Sequence, residues 1–116
     1  MEDEQAAALL GAEREAATDR VVSLGRQVRQ LAEEQALTTH DDEHDPEGVT
    51  IAYQRAQLQG LLAGARADLA AIDRAAERLR AGRYGWCTRC GSRIGEQRLG
   101  ALPAATTCID CARRAR

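Results

Sequence analysis

Tyr84-Gly85-Trp86-Cys87-Thr88-Arg89-Cys90-Gly91, answered further along by Cys108-Ile109-Asp110-Cys111, is the stretch from which the organisation of the chain is read. Each half spaces two cysteines by two residues, and 17 residues from Gly91 to Thr107 separate the halves. Zinc takes four ligands at tetrahedral corners, with thiolate sulfurs at about 2.3 Å. A two-residue gap lets one tight turn bring two sulfurs to one ion, and Gly91 directly after Cys90 eases that turn. The long gap returns the chain with the second pair, a spacing that reads as a zinc site. Cys87, Cys90, Cys108 and Cys111 are therefore expected to hold one zinc ion. Four thiolates fill its coordination sphere and leave no position for an activated water, so the expected role is structural. A thiol–disulfide redox site would need one pair at a helix start beside a βαβ unit, and no such unit is present.

Working outward, the residues before the cysteines read as two helices. The first is expected from about Glu4 to Leu37. With Val21 at heptad position a, the a set is Ala7, Arg14, Val21, Val28 and Gln35, and the d set is Leu10, Ala17, Leu24, Leu31 and Thr38. Valine at a with leucine at d makes a coiled-coil seam, firmest between Val21 and Leu31. Gly11 and Gly25 each weaken it by about 1 kcal/mol relative to alanine. The second helix is expected from about Pro46 to Ala81, with its stripe on Ile51, Leu58, Leu62, Ala65, Leu69, Ile72, Ala76 and Leu79. Arg14 and Arg55 interrupt the two seams. Asp45 suits the N-cap with Pro46 at the first helical position, and Gly82 suits the stop.

Two helices of matched length, each with one narrow stripe and joined by a short polar connector, make an antiparallel hairpin; pairing between chains is the alternative. The expected fold is mainly all-α: a coiled-coil hairpin over 1–82 with an acidic tip near 38–48, and a four-cysteine module over 83–116. At about 1.5 Å per residue, 35 residues span roughly 50 Å.

Composition agrees with thin packing between helices. The 116 residues are 44% hydrophobic, yet include no Phe, one Trp and two Tyr. All basic residues are arginine, a choice that matches a GC-rich coding bias. Residues 1–83 carry a net charge of −6 and residues 84–116 a net of +4. The balance lacks the uniform basic surface used in sequence-independent DNA binding. The opening Met1-Glu2-Asp3-Glu4 has no basic or apolar leader character, and no apolar run approaches the roughly 20 residues of a membrane span. A cytoplasmic protein with no membrane partner is expected, where thiols stay reduced and favour metal. No phosphate-binding glycine loop, free nucleophilic cysteine or pocketed acid pair occurs, so an enzyme is not expected.

At this point more than the cysteines can be matched. Tyr84-Gly85, Cys87, Cys90-Gly91, Ile94, Arg98-Leu99, Ala101, Pro103 with Ala104 or Ala105, and then Cys108 and Cys111 resemble the zinc-finger signature of the DksA/TraR proteins, and the preceding hairpin is similar to that family's coiled-coil arm. The resemblance implies a bacterial transcription factor that binds RNA polymerase directly, its coiled coil entering the secondary channel. It also implies that paired aspartates at the tip act near the polymerase active site. Asp42 and Asp45 have the family's spacing, while Glu47 stands where the family has alanine. Arg89, Arg93 and Arg98, with Arg113, Arg114 and Arg116, are candidate contacts to the acidic polymerase rim. Guanosine tetraphosphate is a candidate partner, because the family holds members that respond to it and members that do not.

Two other readings come from different classes. One is a DNA-binding zinc finger, favoured by the basic terminal module and opposed by the acidic arm. The other is a non-catalytic coiled-coil adaptor, for which a stable dimer would speak where the hairpin predicts a monomer. Within the connector, a calcium loop starting at Glu43 would place Pro46 inside it and Gln54 where a glutamate is needed. His40 and His44 could ligate a metal, but in an exposed acidic turn they read as solvated groups that make the tip charge pH-dependent.

Overall fold

The computed structural model describes residues 1–38 and 46–115. Four helices follow in order: α1 (Asp3–Thr38), α2 (Pro46–Arg80), α3 (Glu96–Ala101) and α4 (Ile109–Arg114). The first two form the long helical hairpin, and the last two belong to the four-cysteine module. No strand occurs among the described residues; Trp86 and Arg93 form a single antiparallel bridge.

α1 and α2 begin and end within a residue of the expected limits. Pro46 is the first residue of α2, where its missing N–H costs nothing and its fixed φ suits the helix. Asp45, the expected cap, lies outside the described residues. At the other end the stop is complete: the Gly82 N–H donates to Leu79 O and the Arg83 N–H to Arg78 O, the paired bonds of a Schellman motif. Gly82 takes φ +73, a conformation that costs an L side chain free energy and glycine none.

Packing divides the chain into two compact units, Ala17–Ala67 on one hand and Met1–Ala16 with Asp68–Arg116 on the other. Within Ala17–Ala67, Leu24 packs on Leu62 and Ala65, with Val21, Val28 and Leu58 around them. Gln35, further along α1, meets Arg55, earlier in α2: Arg55 Nη1 donates to Gln35 Oε1 at 3.1 Å. Partners that rise along one helix and fall along the other are the mark of antiparallel pairing. Within the second unit Ala6, Leu10, Ile72 and Ala75 are buried, and Arg14 Nε meets Asp73 Oδ1 at 2.7 Å.

The d positions Leu10, Ala17 and Leu24 are buried as expected. Ala7, expected at a, is exposed, and Ala6 is fully buried in its place. A straight α-helix drifts about 20° per heptad from a strict seven-residue repeat. Two heptads before Val21 that drift carries the contact line off Ala7 and onto Ala6. On α2, Ala75 is buried more deeply than the expected Ala76.

Candidate metal centre

The first cysteine pair sits on a knuckle built from backbone hydrogen bonds. The Ile94 N–H donates to Gly85 O at 2.8 Å and the Cys87 N–H to Ser92 O at 2.7 Å. Gly91 turns the chain back with φ +76, and its N–H donates to Cys87 O at 3.0 Å. The second pair sits at the start of α4. Cys108 is its N-cap, with Sγ accepting from the Cys111 N–H. The halves are tied by Thr88, whose N–H and hydroxyl both donate to Thr106 O, at 2.8 and 3.1 Å.

All four sulfurs lie within 4.8 Å of one another, with Cys90 and Cys108 Sγ 3.7 Å apart. A tetrahedron of 2.3 Å zinc–sulfur bonds requires sulfurs about 3.8 Å apart. A disulfide needs about 2.05 Å, and all four cysteines are free. Cys87, Cys108 and Cys111 are buried while Cys90 is exposed. The donor set and its spacing therefore fit one zinc ion, which these four residues would hold. Bound there, the ion supplies cross-linking and not chemistry, because four thiolates complete its preferred sphere.

The local electrostatics prepare one sulfur for that role. The Cys90 N–H foremost, then the Cys108 N–H, lower the Cys87 thiol to a pKa of about 6. The Ser92 hydroxyl lowers Cys90. Cys111 is pushed up to about 12, chiefly by its hydrogen bond with Cys108. Thiolate charge is thus favoured on the first knuckle, and assembling four thiolates around one point requires the cation.

Other residues of the zinc-finger signature hold the loop between the pairs, Tyr84 and Arg98 through hydrogen bonds and Ile94 and Leu99 through packing. The Tyr84 hydroxyl donates to Pro103 O at 2.7 Å; burial raises its pKa. Arg98 Nε donates to Thr107 O at 2.9 Å, next to Cys108. Leu99 and Ile94 pack with Cys87, Cys108 and Cys111 as the module's small core, with Met1, Tyr84 and Ala105 against it. The Met1 amino group forms an ion pair with Glu96.

Of the three arginines proposed as contacts, Arg98 is thus engaged within the module. Arg89 is exposed, and its backbone N–H donates to Cys87 Sγ at 3.4 Å. Arg93 is exposed with its guanidinium 4.8 Å from the centre of the Trp86 ring, a cation–π distance. Asp42 and Asp45, together with His40, Asp41, Glu43 and His44, lie outside the described residues. One residue that sequence reasoning missed is Arg78. Its Nη2 donates to Arg83 O at 3.0 Å and to Trp86 O at 2.8 Å, fastening the last turn of α2 to the first knuckle. A lone arginine near a helix end carries no sequence signal for this, since its partners are carbonyls positioned by the Schellman turn.

Comparison with known proteins agrees with this geometry. The family model for the prokaryotic DksA/TraR C4-type zinc finger matches residues 82–116. The structure of transcription factor DksA2 from Pseudomonas aeruginosa is similar over 97% of this chain and 81% of that one, with a TM-score of 0.80 and 32% identity. An uncharacterized protein of Aquifex aeolicus (strain VF5) is 48% identical over 46 residues, which are 40% of this chain and 32% of that protein. The match thus spans about a third of that relative's length. The solution structure of the DnaK suppressor protein from Agrobacterium tumefaciens C58 covers 90% of this chain and 91% of its own, with 28% identity and a TM-score of 0.47.

Proposed function

The chain belongs to the DksA/TraR family of C4-type zinc-finger proteins, and from that premise we propose that it is a transcription regulator acting on RNA polymerase itself. In this reading the hairpin enters the secondary channel and presents the connector 39–45 near the catalytic centre. The zinc-bound module is a rigid base. The observation that carries the proposal is the 0.80 TM-score and 32% identity to a transcription factor across 97% of this chain.

The chemistry proposed for each part is non-covalent. Asp42 and Asp45 supply negative charge at the tip, where it can act on a cation or a basic surface. Glu47, at the start of α2, adds a further acid where relatives carry alanine, so the tip contact is more acidic here. Exposed Arg89 and Arg93 are the module's proposed contacts to the polymerase rim. Arg98 serves by holding Thr107 in place. Regulation then consists of a shift in promoter-complex stability, and guanosine tetraphosphate is a modulator to be tested alongside.

Two measurements test this. The chain should co-purify with RNA polymerase and shift initiation in a reconstituted assay. Asp42→Asn combined with Asp45→Asn should leave the melting curve unchanged while reducing the shift several-fold. An undiminished effect from that variant would retire the tip assignment. Sequence-dependent binding to promoter DNA alone, at nanomolar concentration, would replace the reading with that of a DNA-binding finger. The described module helices, at six residues each, are short for a groove-reading role.

A further inference from the structure

The last turn of α2 runs directly into the first knuckle, and one side chain spans the join. Arg78 lies five residues before Arg83 and eight before Trp86, and its Nη2 donates to the carbonyl oxygens of both, at 3.0 and 2.8 Å. The grip is reciprocal at Arg83, whose N–H donates to Arg78 O at 2.9 Å. Helical side chains lean toward the N-terminus of their helix. Arg78 reaches the other way, over the negative helix end, where a cation is stabilised. Arg80, in the same turn, stays on the surface and meets Glu77 at 2.7 Å.

The residues gripped in this way, 83–86, are the lead-in to Cys87. The module holds their other side: the Ile94 N–H donates to Gly85 O, and Trp86 is bridged to Arg93. Among the described residues no backbone N–H outside the helices donates to Arg83 O or Trp86 O, so the Arg78 guanidinium is their donor. We infer that Arg78 is a positioning residue for the zinc site, and that through it metal binding and the closing turn of α2 are thermodynamically coupled. A chelating loop binds more tightly when part of its conformational entropy has already been lost. With Arg78 in place, α2 orders the approach to Cys87 before the metal arrives. Coupling free energy is reciprocal. The factor by which the Arg78 contact tightens zinc is therefore the factor by which bound zinc protects that contact, and with it the last turn of α2. The metal site thus depends on a side chain that belongs to the long hairpin and not to the four-cysteine module, whatever the hairpin engages.

The test uses the full chain, with zinc affinity measured by competition with a chromophoric chelator. Hydrogen exchange of the Ala81, Gly82 and Arg83 amides, which donate to Glu77 O, Leu79 O and Arg78 O, is read with zinc and after its removal. Arg78→Ala should keep its circular dichroism at 222 nm, because the freed carbonyls belong to exposed residues and turn to water. It should bind zinc about tenfold more weakly, the low end of the loss found when a residue supporting a metal ligand is removed. In the unsubstituted chain, removing zinc should speed exchange of the three amides by a similar factor. In Arg78→Ala they should exchange at the faster rate with or without the metal. Arg80→Ala removes the same charge from the same turn and should leave zinc affinity unchanged. Unchanged affinity in Arg78→Ala would overturn the inference, as would an equal loss in Arg80→Ala, which would assign the effect to charge alone. Weaker zinc binding with no response of the three amides to the metal in the unsubstituted chain would overturn the coupling to α2.

Discussion

Around the four cysteines, nearly every residue that matters has an assigned partner atom. The Tyr84 hydroxyl has Pro103 O, Arg98 has Thr107 O, Arg78 has Arg83 O and Trp86 O, and Thr88 has Thr106 O. Between Ala17 and Ala67 the seam rests on a few apolar side chains and a polar rung between Gln35 and Arg55. Neither region has a Phe, and each core is small. The module answers with directed bonds and a metal site, which permit one arrangement. The seam answers with repeated small contacts between apolar side chains.

That contrast can be broken from either side. The largest effect is expected from Cys87→Ser, since metal affinity is the module's folding free energy. Bound zinc should fall below one equivalent per chain, and amide resonances of residues 84–115 should collapse, while Leu24 keeps its contacts to Leu62. Loss of those contacts as well would show that the seam depends on the module. Next in size, Leu62→Ala should destabilise the helices by ~2–3 kcal/mol, read by circular dichroism at 222 nm, with zinc content unchanged. Tyr84→Phe keeps the ring and removes the bond to Pro103 O; urea titration should find the module weaker by about 1 kcal/mol. The smallest effect is expected from Arg14→Ala. Its ion pair with Asp73 is about half exposed on both sides, and such pairs contribute ~0.5 kcal/mol or less. A loss well above that would mean that this rung is a structural tie as firm as those of the module.

Much of this was legible in the sequence, and the exceptions have physical causes. Helix limits were readable because Pro46 and Gly82 act through their own backbone. The d positions were readable because Leu10, Ala17, Leu24 and Leu31 repeat an apolar side chain every seventh residue. Ala6 was missed because a heptad ruler ignores the drift of a straight helix. Arg14 and Arg55 read as interruptions of two separate seams; that Arg55 meets Gln35, and Arg14 meets Asp73, depends on a pairing no single helix encodes. In the module the cysteines announced a metal site by spacing alone. Tyr84, Arg98 and Pro103 were recognisable through family resemblance, but without a reason, since their partners are carbonyls that only the folded loop brings within reach. Arg78 belongs with them and carried no mark at all.

The pairing of Arg14 with Asp73 joins residues 59 positions apart, whereas Cys90 and Cys108 are separated by 18. On a ribosome adding about 5–20 residues per second, Arg14 waits roughly 3–12 s for its partner to be made. For that interval α1 is a nascent helix with a narrow stripe of alanine and leucine and nothing to lay it against. The poverty of large apolar residues, which keeps the finished seam thin, also leaves the growing chain little that could stick to its neighbours.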